Sequence, residues 1–157
     1  MLHTSYIELS KSALQNNIRY MKDRVGEKTR YSMVVKSNAY GHGLEDLLPM
    51  IEDCGVDHFS VFSADEAVRA HRVKRSRCDL MIMGWLDDDH LEWAIENEVS
   101  FFVFTMDRLV ATIEKSQKCR MTARIHIELE TGMHRTGFYE DQVLMVIKVL
   151  VNNRSNI

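Results

Sequence analysis

The amino-acid sequence predicts an α/β fold in which parallel strands alternate with helices. Five short runs rich in apolar, β-branched or aromatic residues recur along the chain, at 31–36, 58–62, 79–83, 99–104 and 123–129. Their first residues lie 27, 21, 20 and 24 positions apart, about the length of one strand–helix unit. The stretches between them are amphipathic, and strands that alternate with helices form a parallel sheet through right-handed crossovers.

The first elements are predicted from local signals before the first long strand. The run at 6–9 could form a short strand, and Ser10 is a suitable N-cap for a following helix. That helix would carry an apolar face composed of Leu14, Ile18, Met21 and Val25.

The later helices have recognisable starts. Ser63 and Glu66 have the spacing of a capping box, in which each residue bonds the backbone N–H of the other. Three aspartates at 87–89 and Thr105 precede two further helical patterns. The last stretch, from Glu140, continues as a helix to the end of the chain. No linker composition marks an internal boundary, so the 157 residues are interpreted as a single domain.

Composition excludes several classes of function. A formal net charge of -3 gives no reason to expect a nucleic-acid partner, and no apolar run reaches the roughly 18 residues of a membrane span. The basic run at 69–77 is interpreted as a solvated helix end. Cys54, Cys78 and Cys119 are odd in number and in no CxxC pair, which indicates reduced thiols and a cytoplasmic protein.

Two architectures fit this pattern, an open doubly wound sheet and a β/α barrel. An open sheet that binds a dinucleotide normally has a glycine-rich turn after its first strand. The corresponding turn here, at 37–43, has glycines at positions 41 and 43 only, which is too weak a signal for a dinucleotide site. Periodicity alone does not separate the two folds.

The first candidate site follows the strand at 31–36. Lys36 ends an apolar run, and the carboxyl ends of parallel strands are where β/α barrels build their active sites. Loss of solvation there favours a neutral amine, which a Schiff-base lysine requires. Tyr40 offers a hydroxyl in the following loop, and Gly41 and Gly43 allow a sharp turn.

The second candidate site follows the strand at 123–129. Glu128 and Glu130 have the same parity and are predicted to share one face of that strand. Arg135 lies between Gly132 and Gly137, where a planar guanidinium could bind a carboxylate or a phenolic oxygen.

Histidines within and near these two segments have a weaker case. His126 alternates with Glu128 and Glu130 and could indicate a metal site, but no fourth ligand is evident, so no metal is predicted. His42 and His134 are interpreted as residues that support their loops.

The two segments together resemble the alanine-racemase family of fold-type III pyridoxal-phosphate enzymes. VVKSNAYGHG, at 34–43, is close to the family's cofactor-lysine motif, and ETGMHRTGF, at 130–138, is close to its arginine motif. The resemblance implies a partial TIM-type (β/α) barrel of about five parallel strands, which is the first part of a domain that needs eight. It further implies a β-rich second domain and a parent protein that is a homodimer.

The resemblance also implies roles for individual residues. Lys36 would bind pyridoxal 5'-phosphate covalently and act as one of two acid–base groups. Tyr40 would bond the cofactor phosphate, and Arg135 would face the cofactor oxygen and the substrate carboxylate. Met133 would approach the substrate pocket. Glu128 stands where the family usually has a lysine, often carbamylated, and it is either a substitute for that anion or merely tolerated.

The implied activity of a full-length parent is interconversion of L- and D-alanine, which supplies D-alanine for the cell wall. A broader-specificity amino-acid racemase, a non-catalytic pyridoxal-phosphate binder and a pseudoenzyme remnant are the alternatives. The family's second-domain tyrosine, the other acid–base group, has no counterpart in these residues. The 157-residue chain is therefore expected to be an incomplete part of the barrel domain that is inactive by itself.

Overall fold

The computed structural model describes residues 5–75 and 77–157. These residues contain seven helices: α1 (Lys11–Val25), α2 (Lys36–Tyr40), α3 (Leu44–Asp53), α4 (Ala64–Val73), α5 (Asp88–Glu96), α6 (Met106–Cys119) and α7 (Glu140–Asn152). The same residues contain five strands: β1 (Met33–Val34), β2 (His58–Val61), β3 (Asp79–Ile82), β4 (Ser100–Val103) and β5 (Ile125–Ile127). The predicted fold class, parallel strands with intervening helices, is confirmed. By contact density the chain divides into two compact units, one up to Leu80 and one from Met81.

In the first unit, β1 and β2 pair in parallel, with Met33 opposite Phe59 and Val34 opposite Ser60. The Val35 N–H continues this pairing by donating to the Ser60 carbonyl oxygen at 2.8 Å. The core of the unit consists of fully buried apolar side chains, among them Val35, Leu44, Leu48, Ile51, Phe59 and Val61. The strand end that precedes Lys36 is therefore anchored in a packed interior.

Helix starts in the first unit agree with the sequence signals. Ser10 accepts a hydrogen bond from the Ala13 N–H, and Ser63 and Glu66 form the complete capping box. The predicted apolar face of α1 is only partly buried: Ile18 is buried, whereas Met21 and Val25 are exposed.

In the second unit, β3, β4 and β5 pair in parallel. Met81 lies opposite Ser100, and Phe101 lies opposite Ile125. The alternating inward residues of β3 and β4 are buried with the inner faces of α5 and α6: Ile82, Phe101, Val103, Leu91, Ile95 and Leu109. Asp87 and Thr105 cap α5 and α6 as the sequence predicts.

The predicted strands at the two candidate sites are too long. The run at 31–36 is a strand only over Met33–Val34, because the backbone leaves the extended conformation at Val35 (φ −123°, ψ 23°) and Lys36 begins α2. The run at 123–129 is a strand over Ile125–Ile127. The run at 6–9 is neither helix nor strand, and its Tyr6 and Ile7 side chains are exposed.

Within the described ranges, no helix is both long and apolar enough to cross a membrane.

Candidate functional site

The first candidate site is the Lys36 loop (residues 36–43), which follows β1. Val35 is buried, and the Lys36 side chain emerges half-buried beside β2. Its Nζ lies 5.6 Å from the centroid of the Phe62 ring, in cation–π contact. Among the residues that the structure describes, the Lys36 amine forms no ion pair. A lysine at a strand end that is not committed to a carboxylate is suited to nucleophilic chemistry.

The segment α2 is not a right-handed helix after Lys36, because its backbone there forms a left-handed turn. Ser37, Asn38, Ala39 and Tyr40 all have φ between 54° and 56°, although none is glycine. The left-handed conformation costs an L-residue roughly 1–2 kcal/mol, so four in succession persist only where the surroundings fix them. The turn is closed by backbone bonds, including Gly41 N–H to the Ser37 carbonyl at 3.1 Å.

Side chains of α3 and α4 hold this turn. The Glu66 carboxylate accepts a hydrogen bond from the Ser37 N–H. Arg69 donates to Asn38 Oδ1 at 2.7 Å and to both oxygens of Glu45, each at 2.7 Å. The turn is thus tied to charged groups that lie up to 31 positions later in the sequence than the residues they bond.

The ion pair between Glu45 and Arg69 also shifts the pKa values of both side chains. The hydrogen bonds from Arg69 are the largest cause of a fall in the Glu45 pKa, from 4.5 to about 2. The same pair raises the Arg69 pKa. The basic run was interpreted as a solvated helix end, but Arg69 lies within α4 and pairs with Glu45 of α3, while its side chain stays 40% exposed.

Tyr40 ends the left-handed turn with its side chain 62% exposed. Because it is exposed, the Tyr40 side chain is accessible to a ligand. A cleft of about 820 Å³ near the loop is lined in part by Asn38, His42 and Asp46, and Tyr40 is not among its lining residues.

The second candidate site is the Arg135 loop (residues 130–138), which follows β5. The Glu130 carboxylate accepts hydrogen bonds from the backbone N–H groups of Gly132 and Arg135. Backbone hydrogen bonding, most of all from the His134 N–H, lowers the Glu130 pKa. The carboxylate of Glu130, the first residue of the loop, therefore holds the loop backbone in place.

The end of the Arg135 loop returns against its start. The Phe138 N–H donates to the Glu128 carbonyl at 2.8 Å, and the Glu130 N–H donates to the Phe138 carbonyl at 2.9 Å. Gly137 (φ 122°) packs so closely here that a Cβ atom would lie 2.4 Å from the Glu130 nitrogen. Position 137 therefore requires glycine for space as well as for backbone conformation.

Arg135 and Met133 project from this loop into solvent, with Met133 76% exposed. No ion pair involves the Arg135 guanidinium within residues 5–75 and 77–157. The Glu128 carboxylate accepts a hydrogen bond from Thr136 Oγ1 at 3.0 Å and, among the described residues, forms no ion pair with Arg135. A cleft of about 360 Å³ lies beside Arg135 and is lined by Tyr139, among others.

The predicted shared face of the two glutamates is not seen, because β5 ends at Ile127 and both residues lie beyond it. Glu128 bonds a side chain and Glu130 bonds backbone amides. His126 is exposed, with its ring 5.9 Å from the Phe102 ring.

The sequence placed Lys36 at the end of the strand over 31–36 and Tyr40 in the following loop, whereas the structure ends β1 at Val34 and puts both residues in α2. Met133 and Arg135 lie in the turn after β5, as the sequence predicted. It missed Glu66 and Arg69 as supports of the Lys36 loop. The available signal for Glu66 was its capping-box spacing, which predicted a local bond but not the one to Ser37.

Parallel strands alternating with helices, with a lysine loop after β1 and an arginine loop after β5, define the class: the first strands of a β/α-barrel domain. The chain belongs to the family described as alanine racemase, N-terminal domain, whose family model matches residues 9–157.

Similar proteins agree with this assignment. The chain is 28% identical over 141 residues to alanine racemase of Methanococcus maripaludis, covering 89% of this chain and 37% of that protein. It is 29% identical over 147 residues to alanine racemase 2 of Oceanobacillus iheyensis, covering 93% and 37%. The crystal structure of alanine racemase from Oenococcus oeni superposes with a TM-score of 0.83 at 28% identity, covering 95% and 42%. The chain thus spans well under half the length of these relatives.

Proposed function

We propose that this chain supplies the cofactor lysine of a pyridoxal-phosphate-dependent amino-acid racemase, and that the whole protein interconverts L- and D-alanine. The observation that carries the proposal is the Lys36 amine, which follows a buried strand end and has no ion-pair partner among the described residues. The relatives named alanine racemase support the choice of substrate.

The residues present fit pyridoxal 5'-phosphate chemically. The cofactor carries an aldehyde, a phosphate and a phenolic oxygen, and the two loops offer an amine, a phenol and a guanidinium. The Lys36 amine would hold the aldehyde carbon covalently, with release of one water. The exposed Tyr40 hydroxyl would donate to the phosphate, and Arg135, unpaired with any described residue, would bind the phenolic oxygen.

The bound cofactor supplies an electron sink that eases loss of the proton from the substrate Cα. The protein side chains have separate roles in the rest of the reaction. Lys36 accepts and returns that proton on one side of the substrate. Arg135 binds the substrate carboxylate, and Met133, beside it, borders the substrate side chain. Glu128 supplies the negative charge that the family usually places at this position on a carbamylated lysine.

The proposal includes the homodimer and the cytoplasmic location that the family resemblance implies. Reduced cysteines are consistent with that location: Cys78 is buried, and burial is the main cause that raises its pKa to about 11. Sedimentation of the intact protein and fractionation of its source cells are the measurements that check these two points.

The central test is reductive labelling. The intact protein is mixed with pyridoxal phosphate and borohydride, digested, and analysed by mass spectrometry for the pyridoxyl group. We expect the label on the peptide that contains Lys36. Lys36→Ala and Lys36→Arg should abolish it, because neither side chain carries a primary amine. Lys11→Ala is the matched control, since Lys11 pairs with Asp53 at 2.7 Å and should not react preferentially. Label on another lysine in the wild-type protein contradicts the proposal.

The second test addresses the reaction. The intact protein should convert L-alanine to D-alanine, measured with a coupled assay for D-alanine. Loss of turnover in Lys36→Ala with retained folding would assign that activity to this site. Cofactor labelling at Lys36 without any racemisation would instead favour the non-catalytic binder.

A further inference from the structure

The Lys36 loop depends on two charged residues of α4 that have no assigned role. Glu66 and Arg69 are three positions apart on α4, so they project from the same side of the helix. Glu66 accepts a hydrogen bond from Ser37, and Arg69 donates one to the next residue, Asn38.

The Glu66 carboxylate joins the two chain segments that flank the Lys36 amine. One oxygen accepts from the Ser37 N–H, directly after Lys36. The other accepts from the Phe62 N–H at 2.9 Å, and the Phe62 ring is the group against which the amine lies. The Glu66 side chain therefore holds both the backbone next to Lys36 and the residue whose ring contacts the Lys36 amine.

Arg69 fixes the next residue of the left-handed turn. It donates to Asn38 Oδ1, an atom that also accepts the Leu44 N–H at 3.1 Å at the start of α3. Arg69 is itself held by both oxygens of Glu45. Two consecutive residues of the turn are thereby tied to α4, one through the backbone and one through the side chain.

The energetics require such supports. Each left-handed residue is strained, and hydrogen bonds to charged groups are strong enough to offset that strain. Without the bonds from α4, the turn would relax towards ordinary backbone conformations and Lys36 would point elsewhere. Displacement of a reacting group by about 1 Å can slow a reaction by up to roughly a hundredfold.

We propose that Glu66 and Arg69 are positioning residues, which hold the left-handed turn so that the Lys36 amine is presented to the cofactor aldehyde. This inference rests on the proposed function of Lys36. It predicts that the two residues control the rate at which Lys36 condenses with pyridoxal phosphate, through the conformation of the turn and not through overall stability.

The experiment compares four variants of the intact protein. Glu66→Gln keeps the size of the side chain but leaves one acceptor oxygen, so an amide N–H faces either Ser37 or Phe62. Arg69→Gln breaks the second tie and leaves the capping box of α4 intact. Ser63→Ala is the matched control for stability, because it removes the other half of that capping box without touching the loop. Asp65→Asn controls for loss of one negative charge on the first turn of α4.

Two readouts are taken. Hydrogen–deuterium exchange of the peptide covering 37–43 reports the turn without any cofactor. The rise of visible absorbance after addition of pyridoxal phosphate, with borohydride labelling to confirm Lys36, reports the condensation. We expect Glu66→Gln and Arg69→Gln to accelerate the exchange and to slow the condensation roughly tenfold or more. Ser63→Ala and Asp65→Asn should keep wild-type values for both, even if Ser63→Ala unfolds at a lower temperature.

The outcomes are distinguishable. If Ser63→Ala slows the condensation as much as Glu66→Gln, the effect is one of stability and the inference is overturned. Wild-type condensation rates in both Glu66→Gln and Arg69→Gln overturn it as well. If Glu66→Gln does not fold, Arg69→Gln decides alone. If the wild-type protein forms no adduct at Lys36, the proposed function fails, and the exchange data alone decide whether α4 holds the turn.

Discussion

The Lys36 loop and the Arg135 loop reach defined conformations by opposite means. The Lys36 loop contains four strained non-glycine residues in succession and is held by Glu66 and Arg69, which come much later in the chain. The Arg135 loop is held by its own first residue, Glu130, and by a glycine that allows its two ends to touch.

The difference shows in the functional side chains. The Lys36 amine is half-buried and lies against an aromatic ring, whereas Arg135 is exposed and pairs with no carboxylate of the described residues. A long exposed side chain retains rotamer freedom that it loses only when something binds it. Tertiary contacts therefore fix the lysine in advance, whereas the arginine is free to be ordered by an anionic group.

The largest expected effect is the loss of stability caused by Gly137→Ala in the Arg135 loop. Gly137→Ala places a Cβ atom 2.4 Å from the Glu130 nitrogen and 2.6 Å from the Leu129 carbonyl carbon, at a φ of 122°. We expect the free energy of unfolding to fall by roughly 2–5 kcal/mol, because steric overlap adds to backbone strain. Urea unfolding followed by circular dichroism is the measurement.

Gly132→Ala is the matched control for this change. Gly132 also has positive φ (117°), but a Cβ atom there meets nothing within 4 Å. Its cost should be limited to backbone strain, of the order of 1–2 kcal/mol. Equal effects of the two substitutions would show that the close return of the chain at Gly137 has no energetic role.

The second prediction tests the strain in the Lys36 loop. Ser37 is exposed and left-handed, so Ser37→Gly should relieve strain and raise stability by up to about 1 kcal/mol, or leave it unchanged. Ser12→Gly, at an exposed position in the right-handed α1, should lower stability by up to about 1 kcal/mol. The readout is the difference in thermal unfolding midpoint. A loss of stability in Ser37→Gly as large as that in Ser12→Gly would contradict the assigned strain.

These two loops also show how far the sequence could predict the structure. The alternation of strands and helices and the caps at Ser10, Ser63 and Thr105 were predictable, because each depends on residues within a few positions. The left-handed turn was not, since four non-glycine residues favour right-handed conformations and the contacts that override this preference come from α3 and α4. The separate contacts of Glu128 and Glu130 were missed because strand alternation was extended beyond the end of β5.

The third prediction concerns the local support of the Arg135 loop. Glu128 accepts from Thr136 Oγ1, and Thr136 is the residue after Arg135. A double-mutant cycle with Glu128→Ala and Thr136→Val, each of which removes the hydrogen bond, should give a coupling free energy of about 0.5–1.5 kcal/mol in urea unfolding. In the intact protein Glu128→Gln should also reduce racemisation while leaving the Lys36 label intact. A coupling free energy of zero would mean that the hydrogen bond does not stabilise the loop, and unchanged turnover would favour a merely tolerated Glu128.

The smallest expected effect is the pH dependence of the pair that anchors Arg69. Hydrogen bonding to Arg69 lowers the Glu45 pKa from 4.5 to about 2 in the folded protein. The folded state therefore binds fewer protons than the unfolded state in this interval, and folding is favoured above pH 4.5. That contribution should disappear as the pH falls from 4.5 to about 2. Because the Glu45 side chain is 47% exposed, solvent screening limits it to below about 1 kcal/mol.

Glu45→Gln removes the titrating group and keeps its size, so the difference in unfolding free energy between wild type and variant should shrink towards zero over this pH interval. The protection of residues 37–43 against hydrogen exchange, corrected for the intrinsic pH dependence of amide exchange, should fall over the same interval in the wild type, because Arg69 loses its anchor and with it the tie to Asn38. The Arg135 loop provides the comparison within the molecule. Its Glu130 pKa is also lowered, but by backbone N–H groups, and Glu45→Gln should leave its exchange unchanged. A pH-independent difference between wild type and Glu45→Gln would mean that the Glu45–Arg69 pair does not support the Lys36 loop in solution.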